Sequence, residues 1–179
     1  MRIMRLTDQG LICGDGVRHV VSPNRDARPV GTQIELIVVH NISLPPGEFG
    51  GPGIVDLFLN RLQPHGHAYY AGIAHLRVSA HFLIRRDGEL IQFVPCAQRA
   101  WHAGVSNWRG RERCNDFSLG IELEGADEIP FEDAQYTRLR ALIALLRAHY
   151  PIADVQGHAD VAPGRKTDPG SAFDWSKIN

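Results

Sequence analysis

The stretch Leu36-Ile37-Val38-Val39-His40-Asn41 places four large or branched apolar side chains in succession, then an imidazole and an amide. An unbroken apolar run of this kind suits a strand covered on both faces, with packed layers above and below it. His40 then stands at the outgoing edge, where rigid sheet meets the surface. A side chain held there is placed to act as a ligand.

Its complement lies near the other end of the chain, in Gln156-Gly157-His158-Ala159-Asp160-Val161-Ala162-Pro163-Gly164-Arg165-Lys166-Thr167-Asp168-Pro169-Gly170. This turn-rich segment carries an imidazole, an ammonium and a carboxylate. His40, His158 and Asp168 make a three-ligand set for a catalytic zinc with one position open to water. The expectation is His40 on sheet, with His158 and Asp168 on a shaped loop.

Ser118-Leu119-Gly120-Ile121-Glu122-Leu123 reads as a further strand with one carboxylate inside an apolar segment. Glu122 either faces solvent from an edge strand or takes the proton of an attacking water and passes it to a departing nitrogen. Lys166 either stabilises a developing oxyanion or forms a salt bridge to Asp168 or Glu122. The sequence has no Gly-x-Ser-x-Gly elbow, no His-Glu-x-x-His pair and no glycine-rich phosphate cradle, which favours metal-activated water.

Between these landmarks, breakers fill residues 43–52 and a short helix fits residues 53–59. Residues 63–72 read as an irregular rim whose His65 and His67 are surface groups rather than ligands. Phe82-Leu83-Ile84-Arg85 and Leu90-Ile91-Gln92-Phe93-Val94 flank Asp87-Gly88, a hairpin signal. Trp101 anchors a loop or stacks on a sugar, and His102 lines the pocket. Leu139, Leu142, Ile143, Leu146 and Tyr150 form a helical stripe over residues 133–150, with Glu132 and Asp133 favouring its start and Pro151 discouraging its continuation.

With 179 residues, 44% of them hydrophobic and 22% charged, the chain fits one soluble domain over residues 1–179, of which residues 1–25 are the least distinctive. A formal net charge of −1 gives no broad electropositive surface for nucleic acid or an acidic membrane. The cluster of Arg109, Arg111 and Arg113 reads as a solvated loop. No apolar run is long enough to span a bilayer, and the first ten residues hold no apolar leader core, so the expected location is cytoplasmic. Cys13, Cys96 and Cys114, odd in number and far apart, fit small packed side chains in a reducing compartment.

Several ordered motifs resemble one family closely. They are Val39-His40-Asn41-Ile42-Ser43-Leu44-Pro45-Pro46-Gly47, His75-Leu76-Arg77-Val78-Ser79-Ala80-His81, Arg99-Ala100-Trp101-His102-Ala103-Gly104, Gly110-Arg111-Glu112-Arg113-Cys114-Asn115-Asp116, Gly120-Ile121-Glu122-Leu123-Glu124-Gly125 and the segment from Gly157 to Gly170. The resemblance is to the bacterial cytoplasmic 1,6-anhydro-N-acetylmuramyl-L-alanine amidases, within the zinc amidase and peptidoglycan-recognition-protein superfamily.

That resemblance implies an α/β fold with a mixed central sheet, helices packed against it and a zinc cleft at the sheet edge. It implies Zn²⁺ on His40, His158 and Asp168, proton handling by Glu122 and transition-state stabilisation by Lys166. It further implies substrate contacts from Asn41, Arg77, His102 and Arg113, with Arg77 or Arg113 suited to a peptide carboxylate. The implied reaction cuts the amide between an anhydromuramic lactyl group and L-alanine during cell-wall recycling, with anhydromuramyl peptides as partners and no protein partner evident. Two alternatives stand beside it: a broader muramyl-peptide amidase acting on intact wall, and a noncatalytic peptidoglycan-binding module. Retention of all five metal and catalytic positions argues against the module.

Overall fold

A six-stranded mixed sheet runs in the order Asp154–Gly157, Leu36–Ile42, Ser118–Glu124, Phe82–Ile84, Leu90–Gln92 and Val17–His19. A computed structural model describes residues 4–178. The Leu36–Ile42 strand is flanked on both sides by parallel partners, the Asp154–Gly157 and Ser118–Glu124 strands, which accounts for its unbroken apolar run. The Phe82–Ile84 and Leu90–Gln92 strands pair antiparallel across the predicted hairpin, where Gly88 takes φ 86°.

Strand alternation sorts side chains into two layers. Ile37, Val39, Leu119, Ile121 and Leu123 face a core shared with Leu139, Leu142, Ile143 and Leu146 of the Asp133–His149 helix. That helix follows the predicted stripe and stops one residue short of Tyr150, whose backbone is already extended before Pro151. At its start the Glu132 N–H donates to Gln135 Oε1 at 3.0 Å, so Gln135 closes the first turn.

On the opposite face, Leu57 and Phe58 of the short Gly53–Phe58 helix pack with Leu83, Ile91 and Phe93. Leu36 and Val38 pack there with Trp108, Phe117 and Val161. His40, Ser118, Gly120 and Glu122 share the parity of Leu36 and Val38, so these four open onto one side of the sheet.

Two segments differ from the sequence reading. Residues 154–157 add a strand to the sheet, and His158 begins a one-turn helix, His158–Val161, rather than lying on a loop. Polar Asp154 and Gln156 hide this strand from an apolar-run reading. The least distinctive stretch, before residue 25, forms an Arg5–Leu6 and Ile12–Cys13 strand pair and then supplies the edge strand Val17–His19. Among the described residues no helix is long and apolar enough to cross a membrane.

Candidate active site

Parallel register sets Glu122 directly opposite His40, and Gly157, the residue before His158, opposite Val39. Three groups distant in sequence therefore meet at one end of the sheet. His40 Nδ1 lies 3.0 Å from His158 Nδ1 and 3.0 Å from Asp168 Oδ2, and His158 Nδ1 lies 3.1 Å from the same oxygen. Ligand atoms around one tetrahedral ion at about 2.0–2.1 Å lie roughly 3.3 Å apart, close to this spacing.

The outward ring nitrogens fix the tautomers. His158 Nε2 is 3.0 Å from the Ala103 carbonyl, which only accepts, so the proton sits on Nε2 and the Nδ1 lone pair points inward. His40 Nε2 faces His102 Nδ1 at 2.9 Å, and His102 Nε2 faces Ser118 Oγ at 3.1 Å. With His40 Nδ1 used as a ligand, His40 donates to His102 and His102 donates to Ser118. Gly120 makes room for this chain, since a Cβ there would stand 2.4 Å from His102 Cγ.

Charge in the cluster is uneven. Burial pulls the His40 imidazole down to about 4, against the opposing pull of Asp168, so it is neutral at pH 7. For Asp168, burial works upward, but the short contacts to His158 and His40 outweigh it and hold the carboxyl well below the usual carboxylate range. One anionic oxygen and two inward lone pairs at such spacing fit a metal ion, and these three residues are the group among the described residues able to hold one.

Glu122 completes the arrangement. It is 8% exposed, and among the described residues its buried Oε2 has no hydrogen-bond partner. Burial pushes its pKa well above the ordinary value, the Asp168 charge adds to that, and Lys166 opposes it. A carboxyl with such a raised pKa and a free oxygen is suited to exchanging protons. Lys166 lines the same cleft, and among the described residues no ion pair ties it to Asp168 or Glu122.

The cleft, about 550 Å³, joins this polar cluster to the apolar surfaces of Leu57, Phe58, Tyr69 and Ile73. Asn41 lines it, but both its N–H donors are taken, by Asp127 Oδ1 at 2.7 Å and Pro169 O at 2.9 Å. Only its Oδ1 remains, so it can accept from a substrate and not donate. Trp101 lines the cleft while its Nε1 donates to Asp26 at 3.2 Å, so it is anchored and borders the cleft as well.

The four expected substrate contacts do not converge. His102 borders the cleft but is half-buried, with both ring nitrogens engaged. Arg77 sits on the rim, where Nη1 donates to the His75 and Leu76 carbonyls, and is not among the cleft-lining residues. Arg113, its side chain 71% exposed and its backbone left-handed at φ 61°, lies at a second hollow of about 500 Å³ beside Gly104, Val105 and Arg165.

Three contributors escaped the sequence reading. Asp127 orients Asn41, Ser118 receives His102, and Arg165 Nη2 donates to the carbonyls of Ala103 and Val105 at 2.6 and 2.7 Å, pinning the loop that supports His158. Arg165 adjoins Lys166 and was within reach of inspection. Asp127 and Ser118 acquire their roles only through tertiary contact.

The family described as N-acetylmuramoyl-L-alanine amidase matches residues 30–171. The 1,6-anhydro-N-acetylmuramyl-L-alanine amidase AmpD of Salmonella typhimurium (strain SL1344) is 62% identical over 163 residues, 90% of this chain and 87% of its own. The crystal structure of a selenomethionine AmpD derivative superposes with a TM-score of 0.92 at 58% identity, covering 97% of both chains. The amidase AmiD from E. coli, solved with anhydro-N-acetylmuramic acid-L-Ala-D-γ-Glu-L-Lys as substrate, has a TM-score of 0.60 at 28% identity, over 97% of this chain and 63% of that one.

Proposed function

The chain belongs to the N-acetylmuramoyl-L-alanine amidase family, and from that premise we propose that it hydrolyses, with zinc, the amide joining the lactyl group of 1,6-anhydro-N-acetylmuramic acid to L-alanine in recycled muropeptides. The observation that carries the chemistry is the buried, unpartnered Glu122 Oε2 beside three converging metal donors. The name of the Salmonella relative supports the substrate, as does the substrate in the AmiD structure.

His40, His158 and Asp168 are the zinc ligands in this reading. Zinc bound there supplies Lewis acidity, which polarises a carbonyl and makes water nucleophilic near neutral pH. As the water oxygen bonds to the lactyl carbonyl carbon, Glu122 takes the proton that water gives up. When the C–N bond breaks, Glu122 returns that proton to the alanine nitrogen, and the water's second proton passes from the new lactyl carboxyl to the freed amine, leaving a carboxylate and a peptide ammonium. The Lys166 ammonium offsets the negative charge that builds on the carbonyl oxygen between those events.

Asn41 Oδ1 receives a substrate N–H, and Arg77 from the rim, or Arg113 from the second hollow, pairs with a stem-peptide carboxylate. His102 acts through His40 rather than on the substrate. A cytoplasmic setting is part of the proposal and agrees with the unpaired Cys13, Cys96 and Cys114.

Mass-spectrometric product analysis of the zinc-loaded protein, offered anhydromuramyl peptides, ordinary muramyl peptides and sugar-free peptides side by side, tests the reading. Anhydromuramyl peptides are expected to be cleaved far faster than the other two, because both flanking parts are needed to orient the scissile carbonyl. Equal kcat/KM across the sugar-bearing peptides would make the chain a broader muramoyl amidase. Binding without cleavage would make it a binding module.

A further inference from the structure

Glu124 lies two residues beyond Glu122 on the same strand and the same face, yet it is not among the residues lining the cleft. It is 2% exposed and paired with Arg85, itself 11% exposed, through a 2.7 Å contact from Nη1 to Oε1. The same Oε1 accepts the Gly50 N–H at 2.7 Å, and Oε2 receives the Arg86 N–H at 3.4 Å. From the helix side, Gln135 Nε2 holds the Glu124 carbonyl at 3.0 Å, so the strand end is fixed from below.

Gly50 belongs to the segment 43–52, whose Ser43, Leu44, Pro46 and Gly47 line the cleft. Within residues 43–51 the other recorded backbone N–H bonds are local, from Gly47 to Ser43 Oγ and from Glu48 to the Pro45 carbonyl. Beyond the apolar seat of Leu44, the segment is held by the Gly50 bond and by Phe49, whose ring covers the Arg86 guanidinium at 4.7 Å. A buried ion pair is a weak source of net stability, but a charged acceptor makes a strong, directional bond to a loop N–H.

We propose that Glu124, paired with Arg85, is a positioning residue that sets the 43–52 rim over the cleft and so controls how tightly the substrate is held. The proposal rests on the amidase reading for its kinetic consequence and on the rim geometry for everything else. One rigid strand then carries both the proton-handling carboxylate and the anchor of the rim.

The test compares Glu124→Gln, Phe49→Ala and the parent chain, each zinc-loaded, by steady-state kinetics on an anhydromuramyl peptide and by amide hydrogen exchange. Glu124→Gln is expected to raise KM about tenfold with kcat nearly unchanged, the scale of one lost charge-assisted hydrogen bond, and to speed exchange at residues 43–52 by a similar factor. Zinc content and exchange at Leu119 and Ile121 should hold. Phe49→Ala leaves the buried pair intact and is expected to shift KM and rim exchange in the same direction by less, which keeps the test decisive should Glu124→Gln fail to fold.

A lower melting temperature with unchanged KM and rim exchange would reduce Glu124 to structural support and overturn the proposal, as would a loss confined to kcat. If the parent chain cleaves no muramyl peptide, the amidase reading fails. Rim exchange in the two variants then still decides whether Glu124 anchors the loop.

Discussion

His102 Nδ1 faces His40 Nε2 across 2.9 Å, so a residue expected against the substrate also engages the proposed metal ligand His40. Such partners fix ring orientation and tautomer, and their loss typically costs about 10- to 100-fold in metal affinity. His102→Ala is expected to weaken zinc binding on that scale, measured by competition with a chromogenic chelator. Ser118→Ala, one bond further out, should weaken it less. Unchanged zinc affinity with a raised KM would return His102 to the substrate side.

For Glu122→Gln, zinc should stay bound while turnover falls by roughly a hundredfold or more, as expected for a positioned acid–base group. The same substitution has a stability signature in zinc-free protein. Burial and the Asp168 charge raise the folded-state pKa of Glu122, so the protonated form is the one the fold favours. Its favourable contribution is complete below the unfolded value of about 4.3 and is lost as pH rises through the folded value. Glu122→Gln should therefore be more stable than the parent at pH 7, with the advantage fading toward pH 4. Urea midpoints across that range decide it, and a constant difference would show that Glu122 is not held protonated by its surroundings.

Asn41 is expected to be intolerant of a carboxylate. Asn41→Asp removes two donors and sets a second carboxylate against Asp127, with an expected loss of about 1–3 kcal/mol at pH 7. Protonation should restore part of it as pH falls into the carboxylate range. Chemical denaturation at pH 7 and pH 4 reads this directly, and equal losses at both would show that repulsion between the two carboxylates contributes nothing.

Lys166→Ala should slow the chemical step by about a hundredfold, the scale of a lost oxyanion contact, with zinc content and KM little changed. Single-turnover kinetics separate the two effects. A change confined to KM would make Lys166 a substrate-holding group.

Much of this arrangement is legible in the amino-acid sequence. The run from Leu36 to Val39 announced a two-sided strand, and the stripe from Leu139 to Leu146 announced its covering helix, because burial writes directly into apolar spacing. The grouping of His40, His158 and Asp168 was legible too, since imidazole and carboxylate in breaker-rich surroundings have few structural uses. The Asp154–Gly157 strand was not, because alternating polar residues on a half-buried edge mimic a loop. The contacts of His102, Asp127 and Glu124 were not either, because each involves a partner at least 62 residues away in sequence, as with His102 and His40.

The pairing of Glu122 with His40 also bears on which kinds of heritable change this enzyme can survive. Loss of one residue between Ser118 and Glu122 would turn every following side chain to the other face, carrying the carboxyl into the helix-packed layer and bringing Leu123 to the cleft. Substitutions in that strand can be graded in their effect, whereas insertions and deletions there are all or nothing. The segment between Leu62 and Val78 obeys no such rule, because it crosses the rim with little regular structure and doubling a loop's length costs only about 0.6 kcal/mol. Lineages diversifying this protein have room to lengthen the rim and reshape what enters, while the residue count of the central strands stays fixed.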